Sequence, residues 1–236
     1  MLPLKDDVPS STFPFVTVGL IVANVVAFLY QASLGLTGDP RALQAAQEFI
    51  FEFGAIPCRL TGACRAPAEF PHPALTIFTS MFLHGGFFHV AGNMLYLWIF
   101  GDNVEDTLGH GRFLLFYLFC GLAAALAQTV MNPASKIPMV GASGAISGVL
   151  GAYLLLFPYA RVLTLITFGF FIRFVHIPAV IVLGFWIVVQ FLNGVLTVSL
   201  AGPEAGGGVA WFAHIGGFLA GMAVVFLLRL WRPTRL

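Results

Sequence analysis

Residues Gly141-Ala142-Ser143-Gly144-Ala145-Ile146-Ser147-Gly148 open an apolar run with no charged residue between Lys136 and Arg161. A hydroxyl flanked by glycines at the mouth of an apolar helix is an unusual placement. Gly141 lets the chain turn sharply, and Gly144 leaves room beside Ser143 for a second backbone. A helix starting here has unpaired N–H groups and the positive end of its dipole next to Ser143, where a developing oxyanion would be stabilised. Alone, the string is weak, because most strings of this kind are packing surfaces. Its weight depends on the rest of the chain.

The 236 residues are 59% hydrophobic and 9% charged, with a mean hydropathy of +0.93. An ordinary soluble domain is about a quarter charged. The composition therefore predicts a polytopic membrane protein. Residues 1–236 read as a single membrane domain, since no stretch outside the apolar runs is long enough for a second core. A net charge of +1 gives no reason to expect nucleic acid as a partner. Lys5 is followed by Asp6 and Asp7, which does not suit the positive start of a secretory signal.

Charges delimit the spans, each of which needs about 20 residues. The uncharged windows predict six transmembrane helices in an all-α bundle, at about 13–33, 82–101, 113–133, 141–159, 176–198 and 210–229. Val162–Ile172 is apolar but too short to cross, and is expected to be an interfacial or re-entrant connector. With the N-terminus inside, the inner side holds Lys5, Arg112, Arg161, Arg173, Arg229, Arg232 and Arg235. The outer side holds Arg41, Arg59, Arg65 and Lys136. This excess of inner basic residues predicts cytoplasmic N- and C-termini.

The outer loop at 34–75 is the longest connection. Leu43, Ala46, Ile50 and Phe53 recur at helical spacing with Gln44, Gln47, Glu48 and Glu52 between them, which suits a short helix at the interface. Cys58 and Cys64 lie in the same loop. If it is extracytoplasmic, a disulfide and two free thiols stand level as readings; a metal site is weaker, because no second ligand pair is near. Cys120 reads as a buried apolar residue. After the fifth span, Gly206-Gly207-Gly208 is either a plain linker or a movable cap.

Polar groups at membrane depth are costly and face packed interiors or water-filled cavities. The second span carries His84, His89 and Asn93; the fourth, Ser143 and Ser147; the sixth, His214. His89 and Asn93 share a helix face, as do Ser143 and Ser147. At about 1.5 Å per residue, Asn93, His89, His214 and Ser143 lie roughly 14, 20, 22 and 27 Å from the inner edge. Three parallel helices thus bring polar residues to similar depths. Gly144 with Gly148, and Gly217 with Gly221, are GxxxG pairs that let membrane helices pack backbone to backbone. If these two grooves meet, Ser143 and His214 come within reach.

Simpler readings exist for each residue. Ser147 is expected to bond the carbonyl four residues back. His84 and His89, five apart, would fall on different helix faces, with no carboxylate in the spans to complete a metal site. His110 and His176 read as interfacial, and His72 carries no signal. None of these readings explains the joint pattern on helices two, four and six.

That pattern resembles the rhomboid family of intramembrane serine proteases, in its bacterial six-helix form. The resemblance rests on His84-x4-His89-x3-Asn93, on Gly141-Ala142-Ser143-Gly144, on Ala213-His214 followed by Gly217-x3-Gly221, and on the acidic stretch Gly101–Asp106. It implies Ser143 as nucleophile and His214 as general base, with no aspartate. His89, Asn93 and the Ser143 backbone N–H would form the oxyanion hole. His84 would be a structural hydrogen-bonding residue and Glu105 a cap or anchor in a turn after the second span. It further implies single-span membrane proteins as substrates, the cell (inner or plasma) membrane as location, and no cofactor, metal or obligate partner beyond the bilayer. Two positions depart from the family pattern. Leu75-Thr76 stands where a Trp-Arg pair is common. Ser147 stands where a tyrosine often stacks on the histidine, so Trp211 or Phe212 is expected to orient His214. Two other classes are weighed beside the protease: a non-catalytic relative that binds client transmembrane helices, and a transporter. The transporter reading lacks intramembrane carboxylates and an inverted repeat.

Overall fold

The structure, a computed structural model, describes residues 1–168, 171–201 and 209–231. The Gly206–Gly208 segment expected as a linker or cap lies outside these residues. Strand β1 (Leu2–Lys5) leads to α1 (Phe15–Leu34), the loop helices α2 (Pro40–Phe53) and α3 (Pro57–Leu60), and α4 (Pro73–Thr79), which continues as a 3-10 turn (Ser80–Phe82). Then come α5 (Phe87–Leu108), α6 (His110–Met131), α7 (Ser143–Leu156), strands β2 (Arg161–Phe168) and β3 (Phe171–Pro178), α8 (Ala179–Ala201) and α9 (Trp211–Trp231).

Among the described residues, four helices can cross a membrane by length and composition: α1, α6, and the larger parts of α8 and α9. The protein is therefore a mostly helical, multi-pass membrane protein. A fifth crossing is reached if α4 and α5, bent by 83° at their junction, count as one. Among the described residues a sixth span of full length is not found, since the predicted fourth span, 141–159, is the 14-residue helix α7. Its shortness has a packing reason. Every residue from Ala145 to Tyr153 is buried, so α7 is enclosed by its neighbours rather than by lipid. The principal neighbours are α9 and α6.

Glycines set the distance between these helices. A Cβ on Gly217 would collide with the Gly144 carbonyl oxygen, and one on Gly221 with that of Gly148. The two GxxxG grooves thus meet, and α7 and α9 touch along their backbones.

Two regions take a form that the charge-free windows did not define. The connector at Val162–Ile172 is β-structure: β2 pairs antiparallel with β1 on one side and β3 on the other. Val162, Thr164, Ile166 and Thr167 are β-branched, and Val162 and Thr164 are buried at alternate positions. A window defined by missing charges cannot separate such a strand from a helix. The fifth helix consequently begins at Ala179, after Pro178, rather than at 176.

The second span is also different from its prediction at 82–101. The helix starts only after Gly85-Gly86 and continues to Leu108. The acidic stretch expected as a turn is therefore the last two turns of α5. Glu105, fully buried, accepts from the N–H groups of Val16 (2.9 Å) and Thr17 (2.7 Å) and from His110 Nδ1 (2.6 Å). The N-cap of α1 is Pro14, which offers no side-chain cap; a carboxylate from another helix meets its orphan donors and dipole instead. Asp106 accepts from the backbone N–H and hydroxyl of both Ser11 and Thr12, and Asp102 from Ser10 Oγ (2.7 Å). The chain before α1 is strapped to the end of α5.

The C-terminal end of α7 is held in the same way. Tyr153 donates its phenolic hydrogen to Asp6, and the Arg161 N–H donates to Asp7 (2.7 Å). Burial pushes the Asp6 carboxyl up to about 6; the Tyr153 bond opposes this, and the charges of Asp102 and Asp7 add to it. In the loop after α1, α2 has no fully buried residue. Cys58 and Cys64 are joined in a disulfide, their Cα atoms 5.2 Å apart. Cys120 is a buried free thiol against Gly148.

Candidate active site

The turn before α7 places Ser143. Gly141 has φ +121°, a region closed to most side chains, and its N–H donates to the Ser80 carbonyl (2.9 Å). A Cβ there would lie 2.8 Å from the His89 ring, so only glycine lets the turn approach α5. Ser143 is the first residue of α7, and the first helical bond back is from Ile146 N–H to Ala142 O. The N–H groups of the first turn therefore point out of the helix end without intrahelical partners.

Backbone contact between α7 and α9 brings Ser143 and His214 together. Ser143 Oγ lies 2.8 Å from His214 Nε2, and His214 Nδ1 lies 2.7 Å from Gln190 Oε1 on α8. An amide oxygen only accepts, so Nδ1 carries the hydrogen. Nε2 is then the free acceptor, and the serine hydroxyl donates to it. Trp186 and Trp211 flank the imidazole with centroids at 5.8 and 6.4 Å. The ring is thus oriented by Gln190 with two tryptophans. The expected Trp211 takes part, whereas Phe212 contributes its backbone N–H to Gln128.

Facing this pair, α5 presents His89 and Asn93. The Gly85 N–H donates to His89 Nδ1 (3.3 Å), which leaves His89 Nε2 as the donor edge facing the Gly141 turn. Asn93 Nδ2 donates to His84 Nε2 (2.9 Å). His84 was expected on the helix, on a different face from His89. It lies instead in the bend before α5, and the two rings meet edge to face at 5.1 Å. The Gly85-Gly86 break returns the chain over the first turn of the helix. No third side chain joins the pair as a metal ligand among the described residues. Gln31 of α1 fixes the bend through its backbone, donating to His84 O (2.6 Å) and accepting from His84 N–H (3.1 Å). Ser147 donates to Ser143 O (2.6 Å), as expected.

Between α5, α7, α8 and α9 lies a cleft of about 330 Å³, bordered by His89, Asn93, Ser143, Gln190 and His214. A weak general base, a hydroxyl bonded to it, and side-chain and backbone N–H donors opposite form an arrangement suited to acyl transfer.

Three contributors went unread in the sequence. Gln190 orients His214. Gln128 of α6 accepts from the N–H groups of Phe212 (3.1 Å) and Ala213 (3.2 Å), capping α9 just before His214. Gln31 holds the His84 bend. All are carboxamides inside apolar helices, which was the available signal.

The Rhomboid domain family matches residues 71–231. The chain is 30% identical to RHOMBOID-like protein 1 of Arabidopsis thaliana over 234 residues, covering 92% of this chain and 54% of that protein. It is 47% identical to Rhomboid protease GluP of Bacillus subtilis over 78 residues, covering 33% of this chain and 15% of that protein. It is 31% identical over 152 residues to Rhomboid protein 1, mitochondrial, of Saccharomyces cerevisiae, covering 63% and 40%. The chain thus spans about half the length, or less, of these relatives.

Proposed function

The chain belongs to the rhomboid family, and on that premise we propose that it is an intramembrane serine endopeptidase using Ser143 and His214. The observation that carries this reading is the 2.8 Å contact between Ser143 Oγ and His214 Nε2 at the edge of the cleft. His214 takes the serine proton as Oγ attacks the scissile carbonyl. Negative charge then forms on the carbonyl oxygen. His89 Nε2–H, Asn93 and the open N–H groups at the start of α7 stabilise it; a single such donor is commonly worth about 10²–10³ in kcat. His214 next protonates the leaving amine, and water resolves the acyl-enzyme. The substrate class is a single-span membrane protein whose helix unwinds at the cut, because a helical peptide bond is shielded by its own hydrogen bonds.

We further propose cytoplasmic N- and C-termini and a place in the cell membrane. The inner excess of Lys and Arg supports this orientation. The Cys58–Cys64 disulfide fits a loop on an oxidising side.

The test is cleavage of single-span reporters in proteoliposomes by wild type, Ser143→Ala and His214→Ala. Wild-type cleavage with both variants silent is the expected result. Cleavage by both variants at the wild-type rate overturns the serine mechanism. Binding of reporters without cleavage, and no labelling of Ser143 by a serine-directed covalent probe, would favour a client-binding relative.

A further inference from the structure

Helix α8 is the most loosely enclosed element of the site. Ile181, Phe185, Val188, Phe191 and Leu192 are each more than half exposed. In a bilayer that surface meets lipid tails, which drive no packing against the bundle. Contact with the bundle runs along one line, through Val182, Leu183, Trp186 and Gln190. Gln190, 7% exposed, is the residue on that line that hydrogen-bonds to His214. The serine and the base sit on α7 and α9, fixed to each other through backbone contact. The group that sets the tautomer of the base sits on a different helix, with far less holding it.

We propose that Gln190 is a positioning residue, and that through it the readiness of His214 depends on α8 lying against α9. The inference rests on the protease reading. With α8 in place, Gln190 Oε1 accepts Nδ1–H and leaves Nε2 free for the serine proton. As Nε2 takes that proton, Nδ1–H stays on the amide oxygen, which stabilises the imidazolium. A bond of 2.7 Å does not survive an outward shift of α8 by an ångström or two. The imidazole then loses its orienting acceptor while the distance from α7 to α9 is unchanged. The base is competent only while α8 lies against α9. This arrangement would hold back reaction with water or loosely docked chains.

The test uses the full chain with 15N-labelled histidine. The His214 ring signals are identified by their loss in His214→Ala, and activity is followed with the single-span reporter. Gln190→Met keeps the volume and removes the acceptor. It is expected to give mixed His214 tautomers and about a tenfold lower kcat at unchanged KM, the size of one lost hydrogen bond to the base. Gln190→Glu restores an acceptor and is expected to recover the single tautomer and most of kcat, which a merely structural role would not predict. Gly194→Leu tests the dependence on α8. A Cβ at Gly194 already lies 3.4 Å from Trp211 and Phe212, so leucine wedges α8 off α9 with Gln190 intact. It is expected to reproduce the mixed tautomers of Gln190→Met. A wild-type ring spectrum and kcat in Gln190→Met overturn the proposal, and a wild-type spectrum in Gly194→Leu overturns the coupling to α8. If wild type cuts no reporter, the protease reading fails, while the ring spectra still report the Gln190 contact.

Discussion

Helices α7 and α8 carry comparable apolar sequence and are held by opposite means. Around α7, close approach is built into the backbone: glycines of α9 rest on its carbonyl oxygens, and its C-terminal end is tied to Asp6. Around α8, many side chains face outward, and one line of residues makes the contact. The difference separates two requirements of the site. The distance between serine and histidine is set where nothing can yield, and the orientation of the histidine is set where movement is easy.

The same substitution in both places should show this. Gly217→Ala puts a methyl group into the Gly144 carbonyl oxygen. Because backbone has to move, the loss is expected at or above the usual overpacking range of about 1–3 kcal/mol. The unfolding midpoint should fall, and cleavage should fall with it as the 2.8 Å contact opens. Wild-type stability in Gly217→Ala would break the contrast at its stronger end.

A smaller effect is expected at the tie to Asp6. Its carboxyl is raised from 3.8 to about 6 in the folded protein, so between those values the folded state binds more protons than the unfolded state. Stability from this group is present below about pH 4 and is lost as the pH rises to about 6. Asp6→Asn is expected to flatten that window in unfolding followed against pH. A slope unchanged by the substitution would remove Asp6 as its source.

The smallest effect belongs to α8. A Cβ on Gly184 meets nothing within 4 Å. Gly184→Ala should leave activity unaltered and gain up to about 1 kcal/mol from helix propensity. Destabilisation there would mean that α8 is packed more closely than its exposure indicates.

What the sequence disclosed follows from the same contrast. Glycines four apart, and polar residues four apart, mark a helix face whatever the partner, so the meeting of α7 and α9 could be read from Gly144, Gly148, Gly217 and Gly221. His89 and Asn93 could be placed for the same reason. Gln190 could not be paired with His214, because the face that α8 turns inward is fixed by its neighbours and not by its own pattern. His84 was misplaced because the Gly85-Gly86 break was read through as helix. The strands at 161–178 were missed because counting charges registers hydrophobicity and length, whereas β-branching and alternation carry the strand signal.

The sheet has a consequence for the order of assembly. Leu2 pairs with Leu165, and Pro3 with Thr164, so the edge strand joins partners about 160 residues later in the chain. At roughly 5–20 residues per second of synthesis, these partners emerge about 8–32 s after it. Until then β1 has no strand to pair with, and Asp6 has no Tyr153 to accept from. The clasp that fixes the C-terminal end of α7 is therefore among the late events of biogenesis. Ser143 stands on a helix whose C-terminal end is not anchored until β2 has been made.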